Sequence, residues 1–92
     1  MVNQDEFIKD LDIVLSDIRS LLIEKNRKYG DSALTPVRMM SKVSSSEQIK
    51  VRIDDKLSRI SNQQTDEDED VAQDLTGYLI LLFISKLRES RL

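Results

Sequence analysis

The spacing of apolar residues in the first thirty positions constrains the fold more than any other feature of the sequence. Apolar side chains recur there every three or four residues, at Phe7, Leu11, Val14, Ile18, Leu21 and Leu22. This spacing puts them on one face of a helix of about six turns. Gly30 is a natural stop for that helix. With one Pro, two Gly and no alternating apolar and polar runs, the chain is not expected to form a sheet.

A short second helix and a longer third helix are predicted in the middle of the chain. Thr35 and Pro36 suit the N-cap and the first position of a helix that ends near Val43. Ser44 and Glu47 then fit a capping box. The third helix that follows is predicted to direct four apolar residues inward: Ile49, Ile53, Leu57 and Ile60.

A fourth helix is predicted to begin after Thr65 and to carry acids in its first turn, where the helix dipole favours them. It becomes apolar all round at residues 79–84, which is typical of a helix in the middle of a bundle or at a subunit interface. The sequence therefore predicts one all-α domain over residues 1–92. We expect a compact bundle of about four helices that forms a homo-oligomer through the fourth.

Composition excludes most of the chemistries that can be named from a sequence. The 92 residues contain no Cys and no His, so thiol nucleophiles, Ser–His relays and imidazole metal sites are excluded. The net charge of −3 conceals an uneven distribution, because residues 66–74 hold six acids and no base. Residues 19–59 hold ten bases and five acids. What remains is carboxylate chemistry with hard metals, and cations that can hold anions.

The acidic segment is the first candidate site. Three carboxylates, Glu67, Asp70 and Asp74, share one face of the predicted fourth helix. Asp74 leads into a strongly apolar stretch, where a carboxylate is costly to bury unless a positive group meets it. Either Mg²⁺ or a Lys or Arg from the third helix would satisfy it.

The third helix and the end of the first supply two basic candidates. Arg52, Lys56 and Arg59 surround Asp55 on one polar face of the third helix, and that face either clamps phosphates or neutralises the acids of the fourth helix. Lys25, Asn26 and Tyr29 precede the turn at Gly30. They either contact a nucleotide or form an ordinary helix C-terminus.

Three ordered blocks carry a resemblance to a known family. KNRKYGDSAL, VRIDDKLSRISN and DEDEDVAQDLTGYLILL resemble small phage and prophage proteins of the nucleotide-modification-associated family, which are relatives of the MazG-like all-α nucleotide pyrophosphatases. The resemblance covers residues 20–84. The chain departs from the MazG-like pattern in having no E-x-x-E pair, and the best-aligned acidic pair is Asp70-x-x-x-Asp74.

The resemblance implies a Mg²⁺-dependent pyrophosphohydrolase of (d)NTPs. In that interpretation Asp55, Asp70, Asp74 and Glu67 hold the metal, and Asp55, Asp74 and Lys56 are catalytic. The nucleotide is bound by Lys25, Asn26, Tyr29, Arg52 and Arg59. The acidic N-terminus without a signal-peptide pattern predicts a cytoplasmic protein, in the host cytoplasm if it is phage-encoded.

Two alternatives come from other functional classes. One is a nucleotide-binding or phage accessory protein on the same bundle without turnover. The other is a helical oligomerisation protein whose acids and bases only pair with each other. A membrane span is not expected, and the pI of about 4.9 without a recognition-helix motif argues against DNA binding.

Overall fold

A computed structural model describes residues 3–36, 39–62 and 70–92. Within these ranges the chain forms three helices and no strand: α1 (Gln4–Tyr29), α2 (Ser45–Ser61) and α3 (Val71–Glu89). The all-α prediction is confirmed. The described residues form three helices instead of the predicted four, because residues 35–36 and 39–43 of the second predicted helix are not helical.

Helix α1 ends where its sequence predicts, and Asn3 caps its start. The side chain of Asn3 accepts a hydrogen bond from the backbone N–H of Glu6 at 2.8 Å and caps the N-terminus. Gly30 follows the last turn with φ +67°, a backbone conformation that residues with a Cβ rarely adopt. Although α1 runs for 26 residues, none of them is buried.

The helix predicted from Thr35 to Val43 is wrong. Residues 39–40 are bends and residues 41–44 are irregular. The backbone amides of Leu34 and Thr35 both donate to the carbonyl of Asp31, at 3.0 and 2.7 Å, so a turn forms before Pro36. The Thr35 hydroxyl also donates to Asp31, at 3.0 Å to its carbonyl, instead of capping a helix.

Helix α2 begins as predicted but presents a different face inward. Ser44 is its N-cap and accepts from the backbone N–H of Glu47 at 3.2 Å, which confirms the predicted start. Ile49 is only 1% exposed, whereas Leu57 is 48% exposed, and Ile60 is also exposed.

The inward stripe of α2 is Ser46, Ile49, Ile53 and Lys56. The prediction that Leu57 and Ile60 point inward is therefore wrong. The physical reason is that Lys56 turns toward an acid on α3 and takes the inward position of its helical turn.

Helix α3 begins later than the sequence predicts. Asp70 is its N-cap, with an extended backbone, and its carboxylate accepts from the N–H of Gln73 at 2.9 Å. The prediction of a helix that continues from Thr65 through Asp70 is therefore wrong. Thr65 and Glu67 themselves lie outside the described residues. The predicted carboxylate face of this helix is lost, because Asp70 precedes the first helical residue and only Asp74 lies within α3.

Helices α2 and α3 pack against each other in antiparallel order. Ser46 pairs with Ser85, Arg52 lies near Tyr78, and Lys56 pairs with Asp74, so numbers rise along one helix as they fall along the other. Among the described residues the buried apolar side chains are Leu34, Ile49 and Val71.

A polar cluster holds the N-terminus of α2 against the C-terminus of α3. Ser46 and Ser85 are both buried, and their hydroxyl oxygens lie 2.7 Å apart. The Ser46 hydroxyl also lies 2.7 Å from Oε1 of Glu89, to which it donates. Since a hydroxyl has one proton, Ser85 donates to Ser46 and Ser46 donates to Glu89.

The chain divides into two compact units, Met1–Gly30 and Asp31–Leu92. The first unit consists of α1, and the second contains α2 and α3. The single domain over residues 1–92 stays a prediction. Among the described residues, no helix has both the length and the apolar character that crossing a bilayer requires.

Replacing Ser46 should weaken the α2–α3 pair. Ser46→Ala leaves the buried hydroxyl of Ser85 without its partner and removes a donor from Glu89, so we expect the free energy of unfolding to fall by about 1–3 kcal/mol. Ser58→Ala, on the exposed face of α2, is the matched control and should change it by less than about 0.5 kcal/mol. Urea unfolding followed by circular dichroism measures both, and equal effects would contradict the assigned role of the cluster.

Candidate functional site

The clearest charged contact among the predicted site residues joins Lys56 of α2 to Asp74 of α3. The ammonium nitrogen of Lys56 donates to Oδ2 of Asp74 at 3.2 Å. The two side chains are 15% and 24% exposed, so most of the pair is removed from water. Because ordered partners and partial burial strengthen an ion pair, this contact contributes more than an ordinary surface pair.

Asp74 lies in the first turn of α3, since that helix starts at Val71. A helix that began after Thr65 would have put Asp74 beyond its first turn, and this expectation is wrong because α3 starts at Val71. Its carboxylate therefore benefits from the positive end of the helix dipole as well as from Lys56. The cation expected beside Asp74 from the neighbouring helix is Lys56.

Arg52 lies about one turn before Lys56 on the same helix. The central carbon of its guanidinium group is 6.0 Å from the centre of the Tyr78 ring on α3. At this distance the cation is attracted to the face of the ring, by about 0.5–1 kcal/mol at an exposed site. The α2–α3 face thus carries a cation–aromatic contact next to an ion pair.

The other predicted metal ligands are placed differently. Asp70 caps α3 through its hydrogen bond to Gln73, and Asp55 lies on the exposed face of α2. Over residues 3–36, 39–62 and 70–92, no group of three or more acidic side chains gathers in a way that could hold a metal ion. Glu67 lies outside the described part of the chain. The predicted Mg²⁺ site includes Glu67 and therefore stays a prediction.

The third predicted group belongs to the first unit. Lys25, Asn26 and Tyr29 lie in the last turns of α1, and all three are exposed. The ammonium group of Lys28 lies 5.3 Å from the centre of the Tyr29 ring. Basic residues in this last turn also complement the negative end of the helix dipole.

Arg59 lies in the last turn of α2 and is exposed. Of the cations predicted to bind the nucleotide on this helix, Arg52 contacts Tyr78, and Lys56, predicted as catalytic, contacts Asp74. The structure therefore pairs two cations of α2, about one helical turn apart, with residues of α3. Asp55 lies on another face of α2.

Two contacts within residues 31–92 were not foreseen. Arg88, in the last turn of α3, donates to both carboxylate oxygens of Asp31 through its two terminal nitrogens. The Ser45 hydroxyl donates to the carbonyl of Leu34 at 2.7 Å. The turn after Gly30 is thus tied to both helices of its unit. Since Asp31 and Arg88 are 57 residues apart, no local pattern could have indicated their pairing.

No family model matches the chain, and no curated protein or solved structure matches it.

Breaking the Lys56–Asp74 pair on one side should destabilise the second unit. Lys56→Met removes the ammonium group facing a carboxylate that is three-quarters buried, so we expect the free energy of unfolding to fall by about 1–3 kcal/mol. The double variant Lys56→Met with Asp74→Leu replaces both charges by apolar groups and should recover at least half of the loss. Lys50→Met, which loses an exposed pair with Glu47 at 3.1 Å, is the control and should cost less than about 0.5 kcal/mol. Additive losses in the double variant would contradict a direct pairing.

Proposed function

We propose that this chain is a helical oligomerisation protein, in which the acids and bases of α2 and α3 pair with each other and apolar helix faces bind a second copy. The observation that carries the proposal is the exposure of aligned apolar side chains on two helices. On α1 the exposed members include Phe7, Leu11 and Val14. On α3 they are Leu79, Phe83 and Leu87, which recur every four residues.

Aligned apolar exposure of this kind needs a partner. Single exposed apolar residues are ordinary on protein surfaces, but contiguous stripes mark interaction sites. Phe83 is 74% exposed in the apolar stretch 79–84, where the sequence predicts a helix in the middle of a bundle or at a subunit interface. A chain of 92 residues buries only about two-thirds of the surface its unfolded chain exposes, and oligomerisation adds further burial.

The charged residues support the same proposal. Lys56 and Asp74 were the strongest candidates for ligand chemistry, and they face each other at 3.2 Å. Asp70 caps a helix, which is a structural use of a carboxylate. Each of these contacts has a sufficient explanation in the stability of the second unit.

Mg²⁺-dependent binding and pyrophosphohydrolysis of (d)NTPs is a second candidate function. The observation that favours it is the position of Arg52 beside Tyr78, about one turn from Lys56. A guanidinium group binds phosphate oxygens well, and an aromatic ring next to it can stack on a base. In this alternative the metal would be held by Asp55, Asp70, Asp74 and Glu67.

Nucleotide binding and oligomeric state together distinguish the two functions. We expect light scattering to give about twice the chain mass of 10.6 kDa or a higher multiple, since the exposed stripes should be covered by a second copy. We expect no rise in melting temperature and no release of pyrophosphate with any dNTP or NTP in the presence of Mg²⁺. A nucleotide that raises the melting temperature, with an effect lost in Arg52→Ala, would favour the second candidate. A monomer at all concentrations tested would overturn the oligomerisation proposal.

A further inference from the structure

Helix α1 carries a narrow apolar seam with a strict alternation of four-residue and three-residue steps. The seam residues are Phe7, Leu11, Val14, Ile18 and Leu21. An average step of 3.5 residues keeps such a row facing a partner helix along its whole length. A second row, Ile8, Leu15 and Leu22, widens one edge of the seam. Phe7, Leu11 and Val14 are exposed, and no residue of α1 is buried.

The charges of α1 are divided between its two halves. Residues 4–17 carry five acids and one base, whereas residues 18–29 carry four bases and one acid. The helix dipole explains acids in the first turn and bases in the last turn only. Asp10, Asp12 and Asp17 lie beyond that first turn, so the division extends along the helix for a further reason.

These two patterns together specify a partner. We propose that α1 pairs with α1 of a second copy of this chain in antiparallel orientation, and this inference rests on the proposed oligomerisation. An antiparallel pair sets the acidic half of each helix against the basic half of the other. A parallel pair would set like charges side by side at both ends, which is unfavourable.

The seam and the charges favour the same register. When Leu11 faces the partner's Leu21, Val14 faces the partner's Ile18, and the apolar seams overlap. In this register the acidic first turn of each helix lies alongside the basic last turn of the partner. The two helices, each about 39 Å long, then overlap over almost their full length.

The widened edge of the seam fits this arrangement. Leu15 comes close to the partner's Leu15, and Ile8 comes close to the partner's Leu22, so one side of the pair is closed by apolar contacts. The other edge carries Asp10 and Asp17, which remain in water when the helices rotate toward the apolar edge. The interface is therefore apolar along the seam and charged at its ends.

A matched pair of substitutions tests whether the seam is the interface. Val14 and Ile13 are both 53% exposed, but Val14 belongs to the seam, whereas Ile13 lies about 100° further round the helix and outside the seam. Val14→Asp would bury a carboxylate from each copy and should raise the dimer Kd by about a hundredfold. Ile13→Asp should change the Kd by less than about threefold. Sedimentation or light scattering over a dilution series measures both, and circular dichroism confirms that both variants keep the helix content of the parent.

Single cysteines test the orientation, and the chain has no Cys of its own to interfere. An oxidised mixture of Leu11→Cys and Leu21→Cys should form a disulfide-linked dimer. Neither variant alone should do so, because its two cysteines would lie about 15 Å apart along the axis, which is too far for a disulfide. A mixture of Lys9→Cys and Ile23→Cys matches this register but lies on the outer face, so it is the control and should not cross-link.

Three other outcomes would contradict the inference, and each would point to a different arrangement. Cross-linking of Leu11→Cys with itself would indicate a parallel pair. A dimer that survives Val14→Asp but is lost in Phe83→Asp would place the interface on α3, and the oligomerisation proposal would then stand without the α1 pairing. A monomer would overturn both.

Discussion

The described part of residues 31–92 depends on the contact between two antiparallel helices whose buried apolar core is very small. Leu34, Ile49 and Val71 are its buried apolar residues, and Ile49 is the largest side chain that is fully buried. With so little apolar area removed from water, polar contacts carry an unusual share of the specificity. The Ser46–Ser85–Glu89 cluster fixes one end of the pair, and Lys56–Asp74 fixes the other.

This reliance on polar contacts also explains why the candidate site is difficult to interpret from sequence. A row of acids and bases on adjacent helices is equally expected of a ligand site and of two helices held together by charge. For one pair the contact between the helices is seen directly, because Lys56 approaches Asp74 and occupies the inward position of α2. A cation that packs inward to meet an acid is part of the helix interface, whatever else binds nearby.

The sequence correctly predicts the helix boundaries that depend only on neighbouring residues. The end of α1 at Gly30 and the start of α2 after Ser44 follow from residues within one turn of each boundary, and both are confirmed. The helix predicted after Thr35 failed because Thr35 and its neighbours bond back to Asp31, which in turn pairs with the distant Arg88. The start of α3 was missed because both Thr65 and Asp70 are residue types that cap helices, and Asp70 is the N-cap of α3.

The inward face of α2 shows the same limit for side chains. Hydrophobic periodicity predicts that Leu57 points inward, but the residue that does so is Lys56. Its position depends on its ion pair with Asp74, which is 18 positions away. Likewise Asp70 and Asp74 were predicted to share a helical face, and a shift of the helix start removed that relation. Pairings across helices thus determined the candidate site, and periodicity alone contains no information about them.

The pairing of Asp31 with Arg88 has a consequence for the order in which the second unit folds. The contacts between α2 and α3 join residues 18 to 43 positions apart, whereas Asp31 and Arg88 close a loop of 57 residues. Closing a longer loop costs more chain entropy, although the cost grows only slowly with length. The helical hairpin therefore has the entropic advantage of forming first, and the turn that follows α1 is fastened to it afterwards. Loss of the last turn of α3 would remove the Arg88 contact to that turn and the Glu89 end of the serine cluster, while the Ser45–Leu34 hydrogen bond would still hold the turn to α2.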